Sequence, residues 1–206
     1  MNLFYSIGYR LGFTPWENAV THPPAYARVA SLFDHEERGM QPPYGRALDL
    51  GCGRGHWAIV LAQRGWEVTG VERVAPAARA ARTYARVTGL PIEIVEGDVT
   101  ALRAAGLAPG YRLIWDFGTL HGMSPAQREA TGEEVSALAT EDATALILAW
   151  APGRRAPLPR GASREDIQSV FPDWEITDES AFDVMGLPSL LRKVDPRVYR
   201  LRRKAT

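Results

Sequence analysis

Apolar and polar positions along this 206-residue chain follow two periods, helical and strand-like, which replace each other repeatedly. Tyr26, Val29, Ala30 and Phe33 fall at the spacing of one helical face, which predicts a helix over residues 24–37, and Gly39 stands where it should end. After a linker of Pro42, Pro43 and Gly45, the run Ala47-Leu48-Asp49-Leu50 predicts a buried strand that leads straight into Gly51, Gly53 and Gly55. A helix over residues 56–64 and a strand over 66–71 come next. Pro76 opens an alanine- and arginine-rich helix that Gly89 should terminate. Further along, the pattern predicts a strand over 92–95, a short helix after Asp98, a strand over 111–115, a helix over 125–138 and a strand over 143–150. The Pro-, Gly- and Arg-dense residues 151–162 predict a loop, and Ser163 with Asp166 predicts a capped helix ending near Phe171. Two closing strands, 174–182 and 197–203, have no crossover helix between them, so an antiparallel hairpin at the sheet edge is expected.

Strands alternating with helices predict an α/β doubly wound sheet. The length suits one domain over residues 1–206, with an amino-terminal lid and helical segment over 1–40 and a core over 46–206. At 46% hydrophobic and 23% charged, the composition is that of an ordinary globular chain. Cys52 is the single cysteine, which excludes an internal disulfide and a cysteine zinc cage, and a reducing, cytoplasmic setting is expected. Lys plus Arg equals Asp plus Glu at 24 each, so no net field draws a polyanion, and no nucleic-acid partner is expected. The basic residues near the end, from Arg192 to Lys204, alternate with apolar ones such as Val198 and Leu201 and read as a solvated strand face. The apolar start, residues 1–13, lacks a basic leader and is interrupted by Ser6, Gly8, Arg10 and Gly12, so neither signal peptide nor membrane span is expected.

Candidate chemistry gathers at the first strand-to-helix turn, Asp49-Leu50-Gly51-Cys52-Gly53-Arg54-Gly55. Closely spaced glycines there let backbone and ligand approach, and the helix that follows offers unpaired N–H groups, which implies a nucleotide-like cofactor. The string from Gly53 to Ala58 also satisfies a dinucleotide fingerprint, so the turn by itself leaves the cofactor open. Asp49 disfavours a pyrophosphate and suits a ligand carrying an ammonium and a sulfonium. Glu72, 21 positions after Gly51 at the end of the second strand, can accept two ribose hydroxyls under either reading. Asp98, after the third strand, stands where an adenine amino group can be bound.

In that order, ALDLGCGRG, GVE, VEGDV and LIWDFGTLH resemble the class I S-adenosylmethionine-dependent methyltransferases over roughly residues 46–150. The resemblance implies a Rossmann-like seven-stranded sheet, mostly parallel with an antiparallel C-terminal strand. It also implies that Gly51, Gly53 and Gly55 hold the methionyl part of S-adenosylmethionine, Glu72 the ribose, and Asp98 with Val99 the adenine, with Asp49 and Asp116 completing the cofactor set. Phe13-Thr14-Pro15-Trp16-Glu17 and the terminal strand from Pro196 resemble the thiopurine, tellurite and heterocycle groups of that class. From this follow Trp16 as a cofactor contact and a lid over residues 1–16, while the aromatic Phe13 and Phe117, as walls, and His121, in the loop at the carboxyl edge of the sheet, are the expected acceptor contacts.

Methyl transfer to the O, S or N atom of a small molecule needs mainly alignment, and proximity can supply about 7–11 kcal/mol of the barrier. A base is needed only where the acceptor must lose its proton early, and His121, five residues past Asp116 at the carboxyl edge of the sheet, is the candidate. No carboxylate–histidine cluster at metal spacing occurs, so no metal is expected. Pro42-Pro43-Tyr44 is similar to a motif of amino-group methyltransferases acting on nucleic acids, but it precedes the first strand and reads as linker. His56 reads as a solvated helix-start residue. The alternatives are a nicotinamide-dependent oxidoreductase and a non-catalytic S-adenosylmethionine-binding module. The expected assembly is a monomer or homodimer.

Overall fold

The computed structural model describes Thr14 and residues 19–153, 159–182 and 194–204. Phe13 and Trp16, and with them nearly all of the expected lid, lie outside these residues.

Helix α1, Pro23–Glu37, starts on a proline pair that needs no N–H partners. Its buried stripe is Ala25, Val29, Leu32 and Phe33, one residue over from the expected face. Tyr26 is 40% exposed, because its ring lies over Trp57 at the edge of the stripe rather than beneath it. Strand β1, Arg46–Leu50, feeds helix α2, His56–Arg64, which Gly65 closes in the left-handed region at φ +113°. Strand β2 spans Glu67–Glu72 and helix α3 Ala75–Thr88; the buried side of α3 is all alanine (Ala77, Ala78, Ala81, Ala85), which lets it sit close to β3, Ile92–Glu96. The short helix expected after Asp98 is a single 3₁₀ turn, Val99–Ala101.

Strand β4, Tyr111–Phe117, a 3₁₀ turn at Leu120–Gly122 and helix α4, Pro125–Leu138, follow, the last opened by a Ser124–Gln127 capping box. Strand β5, Ala139–Trp150, begins four residues before its apolar run: Glu141 and Asp142 are exposed, so alternation hides that part of the strand. Helix α5, Arg164–Val170, has the Ser163–Asp166 capping box read from the sequence. Strands β6, Trp174–Ala181, and β7, Pro196–Arg203, close the chain.

Seven strands among the described residues form one sheet in the order β3-β2-β1-β4-β5-β7-β6. Pairing is parallel from β3 through β5, and β7 runs antiparallel to both β5 and β6. The expected antiparallel hairpin of β6 and β7 is present, with β7 placed between β5 and β6, so β6 forms the edge and β7 alone is reversed. One face packs on α1 and α2 through Phe33, Trp57, Leu61, Leu113 and Trp115, with α3 beside them over Ile94. The other face packs on α4 and α5 through Val135, Leu138, Ile167, Phe171 and Trp174. Strand order reverses between β1 and β4, and that is where an open α/β sheet leaves a crevice at its carboxyl edge. Leu50 pairs with Asp116 across it.

Candidate active site

Three carboxylates from three neighbouring strands converge at this edge, and each is buried: Asp49 from β1, Glu72 from β2 and Asp116 from β4. Glu72 accepts the Gly53 N–H at 3.0 Å on one oxygen and the Val74 N–H at 2.6 Å on the other, which fastens the glycine loop to β2. Asp116 accepts the Thr119 N–H at 2.6 Å and the Leu120 N–H at 2.9 Å, so it builds the turn that follows its own strand. Burial pushes the Asp116 carboxyl up to about 6, against the pull of these backbone donors.

Asp49 differs from both. It is 2% exposed, and its Oδ2 is buried with no hydrogen-bond partner. Burial first, then the Asp116 and Glu72 charges, push its carboxyl up to about 8, while a hydrogen bond from the Ala58 backbone at the start of α2 opposes them.

The glycine loop turns through the left-handed region at Gly51, Gly53 and Gly55. At Gly51 the protein itself enforces glycine: a Cβ there would lie 2.2 Å from Thr119 Oγ1, which donates to the Leu50 carbonyl at 2.8 Å. The loop after β4 therefore packs on the loop after β1, and Thr119 joins the site although nothing in the sequence singled it out.

Asp98 lies at the end of β3, where its Oδ1 accepts the Thr100 N–H and hydroxyl and its Oδ2 meets Arg73 at 2.8 Å. It caps the 3₁₀ turn, and Val99 behind it is buried in the core. Phe117 is half-buried and belongs to a chain of ring contacts, to Trp57 at 5.3 Å, Trp115 at 5.6 Å and Phe182 at 5.8 Å between centroids. The Trp115 indole N–H is buried without a partner, with Phe33 edge-on to the ring at 5.0 Å.

His121 is 1% exposed and stacks on Trp150 at 4.7 Å. Its Nδ1 accepts the Trp150 backbone N–H at 3.2 Å, which fixes a neutral ring with the proton on Nε2. Service as a general base through Nε2 would require that proton on Nδ1, against the Trp150 N–H. The His121 carbonyl accepts Gly161 N–H and the guanidinium of Arg128, which also bonds the carbonyls of Leu120 and Gly161 and pairs with Asp166. Arg128 is buried on the inner face of α4 beside Thr131 and Val135. An arginine on an otherwise core-facing stripe was the one signal by which the sequence could have revealed it.

Among the described residues, no group of three or more His, Cys, Asp or Glu side chains is arranged to hold a metal ion, and no helix is long and apolar enough to cross a membrane.

A family model described as a methyltransferase domain matches residues 47–142. The described fold is similar to the Burkholderia thailandensis 1,6-didemethyltoxoflavin-N1-methyltransferase, solved with bound 1,6-didemethyltoxoflavin and S-adenosylhomocysteine, at 22% identity and a TM-score of 0.76 over 99% of this chain and 87% of that one. It is also similar to the *Synechocystis* magnesium protoporphyrin IX methyltransferase with bound S-adenosylmethionine, at 18% identity and a TM-score of 0.70 over 94% and 91% of the two chains. In sequence, 82 residues are 35% identical to a protein-L-isoaspartate O-methyltransferase of *Chlorobium phaeovibrioides*, covering 39% of this chain and 36% of that relative. The match thus spans little more than a third of that curated relative. The sheet order, with its single reversed strand, is the Rossmann-like, mostly parallel seven-stranded sheet expected from the sequence, and the fold of the solved toxoflavin-type structure.

Proposed function

We propose that the protein transfers a methyl group from S-adenosylmethionine to an O, S or N atom of a small molecule. The observation that carries this reading is the buried Asp49 Oδ2 without a partner, set beside two further carboxylates at the crevice of a methyltransferase domain. An orphaned buried carboxylate is costly unless a ligand completes it, and this cluster calls for a compact cation. Bound S-adenosylmethionine supplies a methyl carbon already activated by its sulfonium. A pyrophosphate in the same place would meet three carboxylates, which disfavours a nicotinamide cofactor.

The chain's own residues divide the work. Gly51, Gly53 and Gly55 bring the backbone and the start of α2 close to the methionyl part, with Asp49 as counter-ion. Glu72 is already oriented by Gly53 and Val74, and because each carboxylate oxygen accepts more than one hydrogen bond, it can take ribose hydroxyls as well. Asp98 and Val99 border the adenine end, and Asp116 holds the turn that faces the transfer point. Phe117 offers a ring wall to the acceptor, which keeps water out and limits its poses. His121, with Nδ1 engaged, serves by positioning the acceptor. The single cysteine suits a cytoplasmic enzyme.

The test is incubation with S-adenosylmethionine and a panel of small thiols, phenols and nitrogen heterocycles, following S-adenosylhomocysteine by mass spectrometry. Product that depends on both the protein and one class of acceptor is expected. Absence of product with every class, despite tight cofactor binding, would make the protein a binding module instead.

A further inference from the structure

The three carboxylates at the crevice are not equivalent, and the difference lies in who donates to them. Glu72 and Asp116 each accept backbone N–H groups on both carboxylate oxygens. Those donors belong to the glycine loop, the start of the β2–α3 connection and the turn after β4, and they favour the ionised form of the group they bond. Asp49 has one buried oxygen with no donor at all, and the charges that weigh most on it are those of Asp116 and Glu72. When like charges crowd a buried site, one of them takes up a proton, and it is the group with the fewest donors that does so.

We infer that Asp49 carries a proton on Oδ2 while the site lacks ligand and releases it when an organic cation, ammonium or sulfonium, binds beside it. This rests on the reading of the site as one for S-adenosylmethionine. The exchange balances simply: the carboxyl O–H breaks, the proton goes to the buffer, and the carboxylate stays as counter-ion to the cation with no covalent bond formed to the ligand.

The groups facing Asp49 support the assignment from every side. From β2 comes Glu72, from β4 Asp116, and from the start of α2 the Ala58 N–H, which opposes them. From the glycine loop comes the Cys52 thiol, which burial and the charges of Asp49 and Glu72 push up so that it remains protonated. With the Asp49 carboxyl at about 8, it is mostly protonated at pH 7 in the ligand-free protein, whereas a neighbouring cation favours the carboxylate.

The experiment is isothermal titration of the full chain with S-adenosylmethionine at pH 7, in buffers of widely different ionisation heat, for the parent and for Asp49→Asn. The dependence of the observed heat on buffer heat gives the protons exchanged. The ligand's own amino group contributes alike to both proteins, so the difference isolates Asp49. The parent is expected to release about one proton more per site than the variant. Equal proton counts in the two proteins would overturn the inference, while absence of S-adenosylmethionine binding by the parent would overturn the reading of the site itself. If Asp49→Asn does not fold, the infrared difference spectrum of the parent decides: a protonated-carboxyl C=O band should disappear on binding, and an unchanged band would overturn the inference.

Discussion

The ends of β1 and β2 and the ends of β4 and β5 lie on the same edge of one sheet, yet they are built differently. On the first side, the contacts that shape the site are short in sequence: Glu72 holds Val74 two residues away and Gly53 nineteen away. On the second side Asp116 also builds a local turn, but the contacts that join this turn to the loop after β5 are long. His121 meets the Trp150 N–H 29 residues on, and Arg128 reaches the Gly161 carbonyl 33 residues on. A site made from one strand-turn-helix unit carries its own instructions. A site clasped together from separate loops depends on a buried residue that closes the clasp, here Arg128.

That contrast can be broken most directly at Arg128. Replacing it by Leu leaves three carbonyls short of a donor, and an unpartnered buried polar group costs about 1–3 kcal/mol, so a loss of about 3 kcal/mol in total stability is expected. In a chain of this size that lowers Tm by about 6–12 °C in a calorimetric scan. Affinity for S-adenosylmethionine should change less than about threefold, because the proposed site puts the clasp on the acceptor side, and an equal collapse of cofactor binding would make the two sides one unit.

On the cofactor side, Glu72→Ala should weaken S-adenosylmethionine binding by about 1.5–3 kcal/mol by calorimetry, with circular dichroism unchanged. Unaltered binding would remove Glu72 from the site and leave it as a loop fastener only.

Asp49 sharpens the comparison from a third direction. Its carboxyl is raised in the folded state, so the ligand-free fold keeps a proton there that the unfolded chain has already lost. The stability that this proton represents is fully present below about pH 4 and is lost as pH rises through the folded value of about 8. Asp49→Asn removes that loss. Its Tm relative to the parent should rise with pH and reach about 2–8 °C above it near pH 9. A variant less stable than the parent at pH 9 would show that Asp49 is satisfied without ligand.

The smallest effect is expected at His121. With Nδ1 committed to Trp150, His121→Gln should lower turnover by less than about tenfold and leave the pH–rate profile in place. A loss of 10²–10⁴-fold, at the order expected for a general base, together with a missing acidic limb, would return the ring to proton transfer.

How much the sequence disclosed follows the same division. Residues 56–64 and 125–138 were legible as helices to their ends, because Gly65 closes one and Ser124 and Pro125 open the other by local chemistry. Asp49, Gly51, Gly53, Gly55 and Glu72 were legible as a constellation because one strand-turn-helix and the next strand place them together. The early start of β5 was hidden by Glu141 and Asp142, which are exposed where the β4–β5 register shifts, Asp142 pairing with Arg112 of β4. The placement of β7 between β5 and β6 was also hidden, since pairing partners are set by tertiary packing and not by alternation. Thr119 and Arg128 were missed for the reason that separates the two regions: their partners, Leu50 and Gly161, lie 69 and 33 residues away.

The central claim is that three buried carboxylates form a site for a cationic methyl donor. Calorimetric titration of the parent with S-adenosylmethionine and, separately, with NAD tests it most directly. One saturable S-adenosylmethionine site per chain and no heat of binding with NAD are expected. Binding of NAD in preference, or of neither, would contradict it.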